Sequence, residues 1–172
     1  LLALKVLQLD EVWWMVSPQN PLKSVRNMAP FEERLSKAVK MAKHPKIRVT
    51  DIERRLGTKY TSGSLAVLKD CFPKTNFVWI MGADSLETFD LWKNWKVIMA
   101  EVPIGVINRP GKNYFTKKNC MTERYKTFQL PSSHSKILAV KKPPVWCFVT
   151  APLNHNSSTQ IRSSGNKNNF RN

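Results

Sequence analysis

The sequence is poor in the features that mark several specialised protein classes. Its 172 residues include three cysteines, Cys71, Cys120 and Cys147, an odd number without Cys-x-x-Cys spacing. That argues against a disulfide framework or a zinc site and leads to the expectation of a reducing, cytoplasmic setting. No apolar run approaches the roughly 20 residues needed to cross a bilayer. The apolar opening at 1–6 is short and interrupted by Lys5, and no membrane partner is expected. No basic leader precedes a long apolar stretch with a small-residue cleavage site, so no export signal is expected. The three histidines, His44, His134 and His155, have neither metal-ligand nor triad spacing, and no protein-held metal is assigned. No internal repeat is found.

Acidic residues are scarce too: 12 against 28 lysines and arginines, for a net charge of +16. Such a bias suits nucleic acid, an anionic membrane surface or a polyanionic small substrate. The lysines are dispersed (Lys37, Lys40, Lys43, Lys46, Lys69, Lys93, Lys96), with pairs at Lys117-Lys118 and Lys141-Lys142. No basic cluster is interleaved with aromatics in an RNA-binding pattern, which disfavours nucleic acid and leaves most lysines as a solvated surface. At 42% hydrophobic residues the chain suits one globular domain, expected over 1–165, with a polar, disordered tail at 166–172.

Short apolar runs alternate with longer amphipathic ones. Residues 11–16 (EVWWMV) read as a buried strand that stops at Ser17-Pro18. Pro30 then suits a first helical turn, with Glu32 and Glu33 behind it; Phe31, Leu35, Ala38 and Ala42 recur at helical spacing toward Lys43. Residues 47–52 suit a strand, and Thr61 or Ser62 can cap a helix reaching Cys71 over Leu65 and Leu68. Residues 77–81 (FVWIM) read as a strand covered on both faces. Asp84 with Glu87 reads as a capping box for a helix over 85–91, with a second helical piece over 95–100. Residues 103–107 make the next strand, closed by Asn108-Arg109-Pro110-Gly111; one helix is expected around 117–128, and the last strand at 145–149. This order predicts an α/β fold, a Rossmann-like, mainly parallel sheet with helices on both faces.

Chemistry concentrates at the strand ends. Ser157-Ser158-Thr159-Gln160-Ile161-Arg162 follows the last strand and opens a helix. Unpaired first-turn amides attract anions, and Ser158 and Arg162, at i and i+4, share a helix face toward phosphate oxygens. The same residues also read as a ligand-free capping box from Ser157 to Gln160. In parallel sheets ligands bind beyond the carboxyl ends of the strands. The polar turns there (17–23, 82–84, 108–109 and 157–162) therefore converge on one candidate nucleotide site. Plainer readings stand beside these: Asp84 as an N-cap, Trp92 as a core aromatic near Trp95, Asn20 as turn chemistry beside Pro21, Arg109 and Lys23 as surface cations.

These residues resemble a known family. Ser17-Pro18-Gln19-Asn20-Pro21, Tyr60-Thr61-Ser62, Gly82-Ala83-Asp84-Ser85-Leu86, Trp92, Arg109-Pro110-Gly111 and the Ser157–Arg162 motif occur in the order and spacing of bacterial nicotinate-nucleotide adenylyltransferases. The resemblance implies a nucleotidyltransferase that joins ATP and nicotinate mononucleotide into nicotinate adenine dinucleotide and pyrophosphate, a step in NAD biosynthesis. It implies in-line attack by the mononucleotide phosphate on the α-phosphate of ATP, with a Mg²⁺ carried mainly by phosphates. Carried over, Ser158, Thr159 and Arg162 hold the ATP phosphates, and Gly82, Asp84 and Arg109 lie against the adenosine nucleotide. Trp92 stacks on the nicotinate ring, bordered by Tyr60 and Thr61. Asn20 and Lys23 sit near the mononucleotide phosphate, with Lys23 and Arg162 serving the transfer itself.

The resemblance has gaps. The family opens on a first strand and a G-x-F-x-P-x-H-x-G-H turn, whereas Leu1 falls inside the helix that follows that turn. Asn156 replaces the usual apolar residue, and Lys23 stands where many relatives carry histidine. The expectation is a chain that, as written, turns over little or nothing. Alternatives are a nicotinamide-nucleotide or phosphopantetheine adenylyltransferase, and a non-catalytic basic nucleic-acid-binding protein. Oligomeric state is left open.

Overall fold

In the computed structural model, residues 1–19, 28–108 and 119–150 are described. Helix α1 (Leu2–Val6) leads into strand β1 (Val12–Met15), helix α2 (Phe31–Met41), strand β2 (Ile47–Thr50) and helices α3 (Ile52–Arg55) and α4 (Thr61–Cys71). Strand β3 (Trp79–Gly82), helix α5 (Ala83–Leu86), a 3-10 turn (Phe89–Leu91), helix α6 (Trp95–Glu101) and strand β4 (Ile104–Asn108) follow. Helix α7 (Cys120–Arg124), a 3-10 turn (Lys126–Phe128), strand β5 (Gln129–Leu130), a 3-10 stretch (Ser132–Val140) and strand β6 (Trp146–Thr150) complete the described chain.

Every described strand pairing is parallel. One sheet has the order β3-β4-β6-β5, and β1 and β2 form a second, two-stranded sheet. This is the doubly covered α/β arrangement expected from the alternating pattern. Period-two alternation sorts the side chains of the larger sheet. Met81, Ile104, Val106, Trp146 and Phe148 join Phe89, Ile98, Met99 and Met121 in one cluster. Val145, Cys147 and Val149 join Leu7 and Leu138 in another, with Ile80 and Ile107 packed against it. Gly105 lies on the second face, where an added Cβ would come within 2.8 Å of Leu7 Cδ1. The absent side chain lets α1 and its exit residue settle onto the sheet.

Sequence and structure differ in five places. The strand at 11–16 is half-exposed rather than buried: β1 has only β2 beside it, and Trp14 is 40% exposed. Of β3, only Met81 is buried. Asp84 does not cap: Gly82 takes the N-cap position in extended conformation, α5 begins at Ala83, and Asp84 falls in the first turn, where its charge still suits the helix dipole. Helix α4 starts one residue after Tyr60, which is its N-cap and makes no side-chain cap bond, so neither Thr61 nor Ser62 caps it. Finally, the helix expected around 117–128 is reduced to α7, capped by Asn119 through a reciprocal box with Thr122.

Helix α2 fits its expectation closely. Pro30 precedes it, Glu32 and Glu33 occupy its first turn, and Lys40 its last. Its Arg34 donates to the carbonyls of Ser17 (2.6 Å), Pro18 (2.7 Å) and Ala29 (3.1 Å), pinning the chain that leaves β1 to the chain that enters α2. Among the described residues no helix is long and apolar enough to cross a membrane. The tail expected at 166–172 lies outside the described residues.

Candidate active site

A cavity of about 500 Å³ opens where both sheets and three connecting segments meet. Strand β1 supplies Met15 and, just beyond its carboxyl end, Ser17; β3 supplies Trp79. Glu53 comes from α3, and Lys59, Tyr60 and Thr61 from the turn that opens α4. That turn depends on Gly57 at φ +63°, a left-handed conformation in which a side chain is strained. Leu91, Trp92 and Lys93 come from the end of the 3-10 turn Phe89–Leu91 and the step after it. There Asn94 at φ +57° redirects the chain into α6, a conformation that asparagine tolerates better than most residues.

Trp92 faces two ways. It is half-buried against the core, edge-on to Phe89 at 5.4 Å and to Trp79 at 6.1 Å, and it also lines the cavity. Edge-to-face contacts of this kind fix ring orientation, so the wall is held from behind by Phe89, which is fully enclosed. Lys93 places its Nζ 5.5 Å from the centroid of the Tyr60 ring. Lys59 and Lys93 form no ion pair among the described residues. Aromatic rings with uncompensated cations at the rim suit a planar, anionic ligand.

Of the residues expected at the site, Tyr60, Thr61 and Trp92 line this one cavity. Gly82 and Asp84 do not; they stand at the carboxyl end of β3. An added Cβ on Gly82 would lie 2.2 Å from Asp84 Oδ1, so the carboxylate folds back over the glycine. Asn108 ends β4, its buried Oδ1 unpartnered among the described residues. Asn20, Lys23, Arg109, Ser158, Thr159 and Arg162 lie outside the described residues. Glu53, Lys59, Trp79 and Lys93 were not singled out for the site. Lys59 and Lys93 adjoin Tyr60 and Trp92 in sequence, a signal that was available; Glu53, in the charged run IERR, offers none.

Among the described residues no group of three or more His, Cys, Asp or Glu side chains could hold a metal ion. Burial pushes the Cys147 thiol above its ordinary range.

Residues 2–164 match the cytidylyltransferase-like family model. A probable nicotinate-nucleotide adenylyltransferase of Cereibacter sphaeroides is 44% identical over 163 residues, 95% of this chain and 86% of the relative. That of Rhizobium johnstonii is 42% identical over 162 residues, 94% of this chain and 81% of the relative. In structure, the chain resembles Plasmodium falciparum nicotinic acid mononucleotide adenylyltransferase complexed with NaAD, at a TM-score of 0.60 and 18% identity. The match covers 94% of this chain and 74% of the other, and supports the fold.

Proposed function

This chain belongs to the cytidylyltransferase-like family, alongside nicotinate-nucleotide adenylyltransferases, and we propose that it serves adenylyl transfer from ATP to nicotinate mononucleotide. The observation that carries the reading is the joint placement of Tyr60, Thr61 and Trp92 around one cavity with Lys59 and Lys93 at its rim. Trp92 offers its ring system to the pyridine ring, a stack worth about 1–3 kcal/mol for bases on aromatic side chains. The two ammonium groups offset the charge of the ring carboxylate and favour the acid over the amide mononucleotide, setting the nicotinamide alternative second.

In the transfer, a mononucleotide phosphate oxygen forms a bond to the α-phosphorus of ATP. The bond from that phosphorus to the bridging oxygen breaks, and pyrophosphate leaves with the electron pair. Such chemistry needs positioning and charge neutralisation rather than a covalent nucleophile. Asp84, at the end of β3, accepts from a ribose hydroxyl beside Gly82. Arg109, Ser158, Thr159 and Arg162 bind the ATP nucleotide and phosphates, while Asn20 and Lys23 serve the mononucleotide phosphate. Mg²⁺ would be held by the substrate phosphates rather than by a protein cage, in keeping with its reluctance to shed water, and would supply further neutralisation of the triphosphate.

The test mixes ATP and nicotinate mononucleotide with the 172-residue chain, and with the same chain fused behind a segment bearing G-x-F-x-P-x-H-x-G-H. Dinucleotide and pyrophosphate appearing together is the expected result. No dinucleotide from either protein overturns the reading.

A further inference from the structure

Glu53 is the one charged residue lining the cavity, among the described residues, to which the mechanism gives no role. It is 7% exposed, and no cation pairs with it among the described residues. Burying a carboxylate without a cation is costly unless hydrogen bonds compensate it. Here they do: Ser64, itself fully enclosed, donates from Oγ to Glu53 Oε1 at 3.1 Å. Thr58 Oγ1 lies 2.8 Å from the same Ser64 Oγ, and the Thr58 amide donates to the Glu53 carbonyl at 3.0 Å. On the far side of the turn, the amides of Gly63 and Ser64 donate to the Tyr60 carbonyl at 3.0 and 3.1 Å. The carboxylate, two hydroxyls and these amides thus bracket Lys59-Tyr60-Thr61 from both ends. The α4 helix has no side-chain cap, so this bracket is what holds its entry.

We propose that Glu53 is a positioning residue that, through Ser64 and Thr58, holds Tyr60 and Thr61 in the geometry that receives the pyridine ring of the mononucleotide. The inference rests on the function proposed above. Glutamine keeps the side chain's length and an oxygen that accepts from Ser64; alanine removes the link.

The experiment compares the chain with its E53A, E53Q and S64A variants by amide hydrogen exchange over 58–64 and by calorimetric binding of nicotinate mononucleotide and ATP separately. E53A is expected to speed exchange at Thr58, Gly63 and Ser64 by about tenfold and to weaken the mononucleotide by roughly five- to twentyfold, leaving ATP within about twofold. E53Q is expected to restore both to within about threefold of the original chain. If E53A does not fold, S64A carries the same expectation in smaller measure. Unchanged exchange in E53A and S64A overturns the bracket, and equal weakening of ATP and mononucleotide overturns its positioning role. Should the original chain bind no nicotinate mononucleotide, the proposed function falls and takes this role with it. Normal binding with an unaltered affinity ratio in the variants removes the positioning role alone.

Discussion

Val106 in β4 and Trp14 in β1 are both apolar residues in parallel strands, yet the first is wholly enclosed and the second is 40% exposed. Val106 has β3 and β6 as neighbours and packed residues on both faces of its sheet. Trp14 has β2 alone. The β1–β2 pair is instead joined to the rest through aromatic edges: Trp13 meets Phe72 at 5.1 Å and Phe77 at 5.9 Å. The larger sheet therefore carries the hydrophobic stability of the molecule, and the smaller one trades enclosure for an open wall. The cavity lies where the two regimes meet, taking Met15 from the smaller sheet and Trp79 from the larger.

The sharpest way to break this contrast is to truncate one residue in each region. Phe89→Ala, in the enclosed cluster, should cost about 3–5 kcal/mol in urea unfolding, whereas Trp14→Ala should stay within about 0.5 kcal/mol. Equal losses would mean that the two sheets share one core. Trp92→Ala tests the boundary itself: calorimetry should show nicotinate mononucleotide weakened by about 1–3 kcal/mol, while Trp95→Ala, which lies outside the cavity lining, should alter stability without that loss. Gly105→Ala drives a methyl toward Leu7 and should lower stability by about 1–3 kcal/mol in the same unfolding assay, with mononucleotide affinity unchanged.

The smallest effect concerns pH. The Cys147 thiol is buried on the second face of the larger sheet and titrates above its ordinary value. A raised folded-state pKa means that the unfolded chain loses this proton first. The stability associated with the neutral thiol is therefore complete below the ordinary thiol range and declines as pH rises through the folded-state pKa. Thermal melts stepped upward from neutral pH should fall less steeply for Cys147→Ala than for the original chain.

How much of this was written in the sequence depends on where apolar periodicity and polar function coincide. Strand β2 is legible because residues 47–52 alternate, and β4 and β6 because Ile104–Asn108 and Trp146–Thr150 are short, mainly apolar runs. Tyr60, Thr61 and Trp92 were legible through motif spacing. The exposure of β1 was not, since EVWWMV carries no record of how many strands flank it. Glu53 was illegible for a related reason: an acid among arginines reads as solvated surface, and only the enclosed Ser64, eleven positions on, turns it inward. The helix after β3 was misread at its start because Gly82, rather than an acidic side chain, satisfies the N-cap geometry. Asn20, Lys23, Arg109, Ser158, Thr159 and Arg162 fall outside the described parts of the chain, and Gly82 and Asp84 stand outside the cavity lining.

One feature of the cavity wall reaches well beyond it. Trp79, Trp92, Phe89, Trp95, Tyr125 and Phe128 touch in succession, with neighbouring ring centres 5.4 to 6.1 Å apart. At such spacing an excited tyrosine passes its energy to tryptophan far faster than it can emit. Light absorbed at Tyr125 therefore drains toward the indoles, and a pyridine ring laid on Trp92 would sit at the end of that relay and dim its glow. On the proposed stacking, occupancy of the cavity would then be readable from the protein's own emission, without any added dye.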